Sequence, residues 1–149
     1  DPKILQWRFV VDCPDARHIV LCENLNFLKT PRIARDNHIE LWYVGGNNIS
    51  NIDYIPDHKL TLPLYYSCDW DYDGLKIFEI ITLLYPSPIL RKSVDSPEHN
   101  SRWKHDQPFS GLIRSAYSQE AISLIQDLIA QDEWVEEETC ELIEMVKLT

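Results

Sequence analysis

Ile19-Val20-Leu21-Cys22 is four apolar residues in succession, closed by Glu23. A strand with one wet face alternates apolar and polar residues. An unbroken run asks for burial on both faces, as in a parallel sheet with helices on either side. Two further strands are expected, Ile39 to Val44, rich in β-formers, and Leu62 to Asp69. Helical pieces fit between them. Asn24 can cap one, with Leu25, Phe27 and Leu28 facing in until Pro31 interrupts or restarts it; Ile49, Ile52 and Ile55 allow another before Pro56. Strands alternating with helices predict an α/β, Rossmann-like fold with a mainly parallel sheet of about four strands.

The flanks extend this pattern. Trp7 to Val11 reads as a short edge strand, and Pro14-Asp15 breaks it. Asp73 to Leu84 is long for a strand, so a helix is expected there, with Asp73 as its N-cap. Pro86-Ser87-Pro88 stops it, and Pro88 to Val94 offers a fourth strand. The polar stretch from Asp95 to Phe109 reads as a loop. Ser118 caps a helix with Ile122, Ile125, Leu128 and Ile129 facing in, and Glu136 opens a last helix with Val135, Leu142, Ile143 and Val146 on its apolar side. Glu136, Glu137 and Glu138 then lie in a first turn, where the helix dipole favours negative charge.

The 149 residues suit one domain, with a core over 17–95 and a C-terminal helical extension over 110–149. The first residue is Asp1 rather than Met, and the chain is expected to be part of a longer protein. A net charge of -10 argues against holding nucleic acid by counterion release alone, and suits a metal site or a basic partner. Cys13, Cys22, Cys68 and Cys140 are far apart and form no C-x-x-C. They read as buried free thiols of a reducing cytoplasm, and His99 and His105 as surface residues of a polar loop. No apolar run reaches membrane-spanning length.

Chemistry gathers at the strand ends. In Cys68-Asp69-Trp70-Asp71-Tyr72-Asp73-Gly74, extended backbone would place Asp69 and Asp71 on one face about 7 Å apart. Two bare carboxylates at that spacing repel by roughly 2 kcal/mol. A hard divalent cation would turn the repulsion into attraction. A solvated acidic turn closing a strand, with Asp73 as a cap, remains the competing reading. Gly45-Gly46 after the second strand suits either an ordinary tight turn or a backbone that approaches a phosphate. In parallel sheets ligands collect beyond the C-terminal strand ends, where Glu23, Gly45-Gly46 and Asp69/Asp71 all fall.

A strand-terminal glutamate in Ile19-Val20-Leu21-Cys22-Glu23-Asn24, followed by the D-x-D of Cys68-Asp69-Trp70-Asp71, resembles the Toprim domain of topoisomerases, primases and related nucleases. The D-x-D-x-x-G form is similar to the branch holding the topoisomerase VI A subunit and its meiotic recombination relatives. A narrower resemblance is to the C-terminal domain of the nuclease subunit of Wadjet anti-plasmid systems. It rests on Glu23-Asn24-Leu25-Asn26-Phe27-Leu28, Leu41-Trp42-Tyr43-Val44-Gly45-Gly46 and the D-x-D-x-x-G turn. Trp134-Val135-Glu136-Glu137-Glu138 loosely resembles an acidic segment of those proteins. Two departures stand out: the family's N-terminal DNA-binding region is not in this sequence, and Asp73 replaces a small or neutral residue.

The resemblance implies a Toprim fold and Mg²⁺- or Mn²⁺-dependent phosphoryl transfer on DNA, with Glu23, Asp69 and Asp71 as metal ligands and catalytic groups. Asp73, Gly45 and Gly46 are possible secondary members. Hydrolytic cleavage is expected within an anti-plasmid complex, with DNA and DNA-bound or basic subunits as partners, a homodimer allowed, and no membrane. A cleavage subunit whose tyrosine sits on another domain, a non-catalytic scaffold and a D-x-D phosphatase are the alternatives. Tyr65, Tyr66 and Tyr72 read as packing residues, which favours water as nucleophile. Lys29, Arg32, Arg35, Lys76 and Arg91 are candidates for phosphate contact.

Overall fold

The apolar runs form the inner strands of a five-stranded sheet in the computed structural model, which describes residues 10–85, 88–90, 97–99, 111–135, 137 and 142–147. The strands β1 (Val10–Val11), β2 (His18–Cys22), β3 (Ile39–Tyr43), β4 (Leu64–Ser67) and β5 (Ile89–Leu90) stand in the order β1-β3-β2-β4-β5. β2 pairs in parallel with β3 and β4, and β4 with β5. β1 closes one edge antiparallel to β3. The fold is therefore mixed α/β with a mostly parallel sheet.

Period-two alternation sends successive residues of one strand into different cores. Ile19 and Leu21 join Tyr66 on one face, under α2 (Tyr72–Leu84) and α3 (Gln119–Ala130). Val20 and Cys22 join Tyr65 on the other, with α1 (Pro31–Asp36) and α4 (Leu142–Lys147). Burial on both faces is the physical reason that the strand carries no polar residue after His18. β3 and β4 flank β2 on opposite sides, so the winding reverses at β2, and such a switch point opens a crevice beyond the strand ends.

Several expectations need correction. The segment after Asn24 is a 3₁₀ turn, Asn26–Lys29, preceded by Leu25 without a side-chain cap. Pro31 starts α1, where its missing N–H costs nothing. The Gly46–Tyr54 segment also winds as 3₁₀. Ser118 caps α3 as expected, accepting from the Ala121 N–H at 3.2 Å. The loop expected over 95–109 contains a strand, β6 (Pro97–His99), paired antiparallel with β7 (Glu133–Val135). The last described helix spans Leu142–Lys147; Glu136, its expected start, lies outside the described residues, and Trp134 and Val135 just before it are buried in that second sheet.

The expected strand residues 7–9 and 91–94, the rest of that loop with His105, and Cys140 lie outside the described residues. Cys13, Cys22 and Cys68 are buried free thiols. Among the described residues, no helix is long and apolar enough to cross a membrane.

Glu40, on β3, is fully buried and still fully engaged. Its Oε1 accepts from the Cys13 N–H at 2.8 Å and from Lys59 Nζ at 2.6 Å, and its Oε2 accepts from Trp42 Nε1 at 2.9 Å. One carboxylate thus fastens three separate stretches of chain at the β1 edge. Removing a buried partner leaves the other charge uncompensated. Glu40→Ala is expected to cost about 3 kcal/mol in chemical denaturation. A loss below about 1 kcal/mol would show that the cluster contributes little.

Candidate functional site

The parallel ladder of β2 and β4 delivers the acidic residues to one place. Cys22 is in register with Ser67, and the next residue, Glu23, donates its N–H to the Ser67 carbonyl at 2.9 Å. Glu23 therefore leaves the sheet beside Cys68-Asp69. The Asp69 N–H donates to Glu23 Oε1 at 2.8 Å, so the end of β4 is hydrogen-bonded to the acid that ends β2. The Asn24 side-chain amide donates to Asp69 Oδ1 at 3.3 Å. That is the actual role of the residue expected to cap a helix.

Trp70 turns into the core, and its N–H donates to the Val135 carbonyl at 2.7 Å. Asp71 follows in extended backbone, φ -137° and ψ 179°, and is itself the N-cap of α2. Its Oδ1 accepts from the Gly74 N–H at 2.8 Å. Asp73, the expected cap, instead occupies the exposed first turn. Tyr66, buried beneath, donates its hydroxyl to the Gly74 carbonyl at 2.9 Å and is a packing residue.

Two glycines let these backbones close up. A Cβ on Gly74 would lie 2.2 Å from the Asp69 carbonyl oxygen, 2.8 Å from Glu23 Oε1 and 3.2 Å from Asp71 Oδ1. The carboxylates of Glu23 and Asp71 thus reach the same glycine, together with the backbone of Asp69. A Cβ on Gly45 would lie 1.9 Å from the Glu23 carbonyl oxygen. Gly45 is therefore buried against the site's own backbone rather than held open for a phosphate, and the exposed Gly46 takes the positive φ of 59° that follows.

Sequence reasoning missed Glu137. It is fully buried, and its Oε1 accepts from the Asn24 N–H at 2.8 Å, with Oε2 3.3 Å from the Glu23 N–H. Its own N–H donates to Asp69 Oδ1 at 2.7 Å. The available signal was the strand-forming pair Trp134-Val135 directly ahead of the glutamates.

Crowded acids in a dry site hold their protons. Burial pushes the Glu23 carboxyl up to about 8; the charges of Asp69, Asp71 and Asp73 add to this, and the Asp69 N–H opposes it. Burial likewise raises Glu137 to about 8, helped by Glu23 and Asp69, against the Ser67 hydroxyl and the Asn24 N–H. Among the described residues, no three His, Cys, Asp or Glu side chains already form a metal cluster. The acids turn oxygens onto backbone N–H groups instead. Their chemistry nonetheless fits a hard divalent cation: oxygen donors only, mutually repelling, on adjoining strand ends. Of the basic candidates, Arg35 pairs with Asp12 at 3.1 Å and Lys76 with Glu79 at 2.7 Å. Lys29 and Arg32 are exposed, and Arg91 lies outside the described residues.

Gly74 sits in the first turn of α2, where helix propensity alone favours alanine by about 1 kcal/mol. The contacts reverse that sign. Gly74→Ala is expected to destabilise by about 2 kcal/mol or more in denaturant unfolding; a gain in stability would refute the close approach.

The raised carboxyls also fix a pH trend. Both folded values lie above the ordinary 4.5, so between 4.5 and about 8 the folded chain binds more protons than the unfolded one. The associated stability is complete below about pH 4.5 and is lost as pH rises through about 8. In a chelator, the melting temperature should fall between pH 6 and 9, and Glu23→Gln should flatten the fall; equal slopes for both proteins would contradict the assignment.

The chain matches no family model, no curated protein and no solved structure, which leaves the geometry of the strand ends as the basis for reading its function.

Proposed function

We propose that this chain carries the cation-binding part of a phosphoryl-transfer site acting on DNA. The carrying observation is the contact of Glu23 Oε1 with the Asp69 N–H at 2.8 Å, beside the glycine that also meets Asp71. This contact supports reading Glu23, Asp69 and Asp71 as one group beyond the ends of β2 and β4. The resemblance to Toprim domains, and within them to the nuclease subunit of Wadjet anti-plasmid systems, points to hydrolytic cleavage of DNA in a defence complex.

Glu23, Asp69 and Asp71 would hold Mg²⁺ or Mn²⁺. Such an ion, when bound, polarises a phosphate oxygen and lowers the pKa of an attacking water. The chain's own residues do the rest. Asp71 is fixed by the Gly74 N–H, so its carboxylate enters the site in one orientation. Asp69 is fixed by the Asn24 amide and the Glu137 N–H. Glu23, whose Oε1 accepts from the Asp69 N–H at 2.8 Å, would serve as a further ligand or as the base that takes a proton from water. Water is the favoured nucleophile because the nearby tyrosine hydroxyls are engaged in packing: Tyr66 on Gly74, and Tyr117 on Leu75 and Glu79.

The net charge of -10 assigns most of the affinity for DNA to basic partners or other domains. Millimolar Mg²⁺ or Mn²⁺ should raise the melting temperature, and Asp69→Asn should abolish the rise. Plasmid nicking by the intact assembly should be lost in Glu23→Gln. Nicking that survives this change would end the assignment, and release of phosphate from a small phosphomonoester would favour the phosphatase reading.

A further inference from the structure

The geometry points to Glu137 as the positioning residue of this site: its buried carboxylate accepts from the backbone beyond β2, and its own N–H holds the carboxylate beyond β4. Four hydrogen bonds form a connected set. The Asn24 N–H donates to Glu137 Oε1 at 2.8 Å, across 113 residues of sequence. The Glu137 N–H donates to Asp69 Oδ1 at 2.7 Å. The Asn24 side-chain amide reaches the same Oδ1 at 3.3 Å, and the Asp69 N–H returns to Glu23 Oε1 at 2.8 Å. Glu137, Asn24 and Asp69 therefore form a closed ring, and Glu23 hangs from it.

Both strand-end acids depend on that ring for their placement. The Glu23 N–H still donates to the Ser67 carbonyl at 2.9 Å, but Asn24 and Asp69 lie past the last paired residues of β2 and β4. Glu137 supplies the missing restraint from outside the main sheet. Two residues before it, Val135 accepts from the Trp70 N–H at 2.7 Å in an isolated bridge, which sets this stretch of chain beside the D-x-D turn. Both Glu137 oxygens face N–H groups, which fixes the carboxylate to the backbone. Its task is to hold the acids, not to reach the cation.

The consequence for cation binding rests on the proposed function; the placement itself does not, and two readouts separate them. Amide hydrogen exchange in the full chain reports the placement through the Asn24 N–H. Titration with Mn²⁺ at one fixed pH reports the consequence. Glu137→Ala should expose the Asn24 amide to exchange and weaken Mn²⁺ by about tenfold to a hundredfold. Glu137→Gln keeps a carbonyl able to accept the Asn24 N–H, and should preserve both the protection and most of the affinity. Should the alanine variant fail to fold, Glu137→Asp takes its place, since it keeps the charge but is too short for the span.

An Asn24 amide that stays protected in the alanine or aspartate variant overturns the proposal. So does unchanged Mn²⁺ affinity in a variant that has lost that protection. Equal Mn²⁺ loss in Glu137→Gln and Glu137→Ala, with Asn24 still protected in the former, would make Glu137 a direct ligand instead. If the unaltered chain takes up no Mn²⁺, the cation reading fails, and exchange at Asn24 still decides the placement.

Discussion

Everything at the strand ends depends on the parallel register of β2 and β4. Pairing Cys22 with Ser67 brings Glu23 and Asp69 out of the sheet side by side. A slip of one residue would turn Glu23 to the opposite face, because side chains alternate along a strand. The register is held by burial rather than by the acids. Ile19, Leu21 and Tyr66 fill one core, Val20, Cys22 and Tyr65 the other, so either slip would exchange their environments. Apolar packing thus holds in place a group of charges that would separate if left to themselves.

The cost of that arrangement is moderated by the backbone. At an effective dielectric near 20, like charges at 7 Å repel by roughly 2 kcal/mol. N–H groups answer Glu23, Asp69, Asp71 and Glu137 in turn, and hydrogen bonds to carboxylates are among the stronger ones available to a chain. The two closest backbone approaches fall at Gly45, against the Glu23 carbonyl, and at Gly74, against the Asp69 carbonyl. Glycine there is a consequence of the site's compactness. The raised carboxyls show that the N–H groups offset burial only in part.

What could be read from the sequence follows from the range of the interactions involved. β2, β3 and β4 were legible because a strand buried on both faces must be apolar throughout, a constraint each run states locally. The convergence of Glu23 with Asp69 and Asp71 followed from topology, since strand ends of a parallel sheet share one side. Glu137 was not legible by the same means. Three glutamates opening a helix and one glutamate buried against a distant strand end look alike in a short window. The contact that separates the two cases spans more than a hundred residues. Asp71 and Asp73 posed a similar difficulty at short range: either can cap a helix, and the extended backbone at Asp71 decides between them. β6 was hidden because Pro97 marks a loop by itself, although at the edge of a two-stranded sheet its missing N–H is tolerated.

On the proposed reading, the chain's charge and its site divide the work. A surface this acidic repels a polyanion at range, whereas a divalent ion at the strand ends would attract a phosphate only at contact. Such a domain would gain little from meeting DNA by diffusion and would rely on a partner to deliver it. The same division would guard against stray cutting, because phosphodiester would reach the acids only when something basic brings it there. Closing the acids onto backbone N–H groups suits that requirement: the carboxylates stay placed while no substrate is at hand.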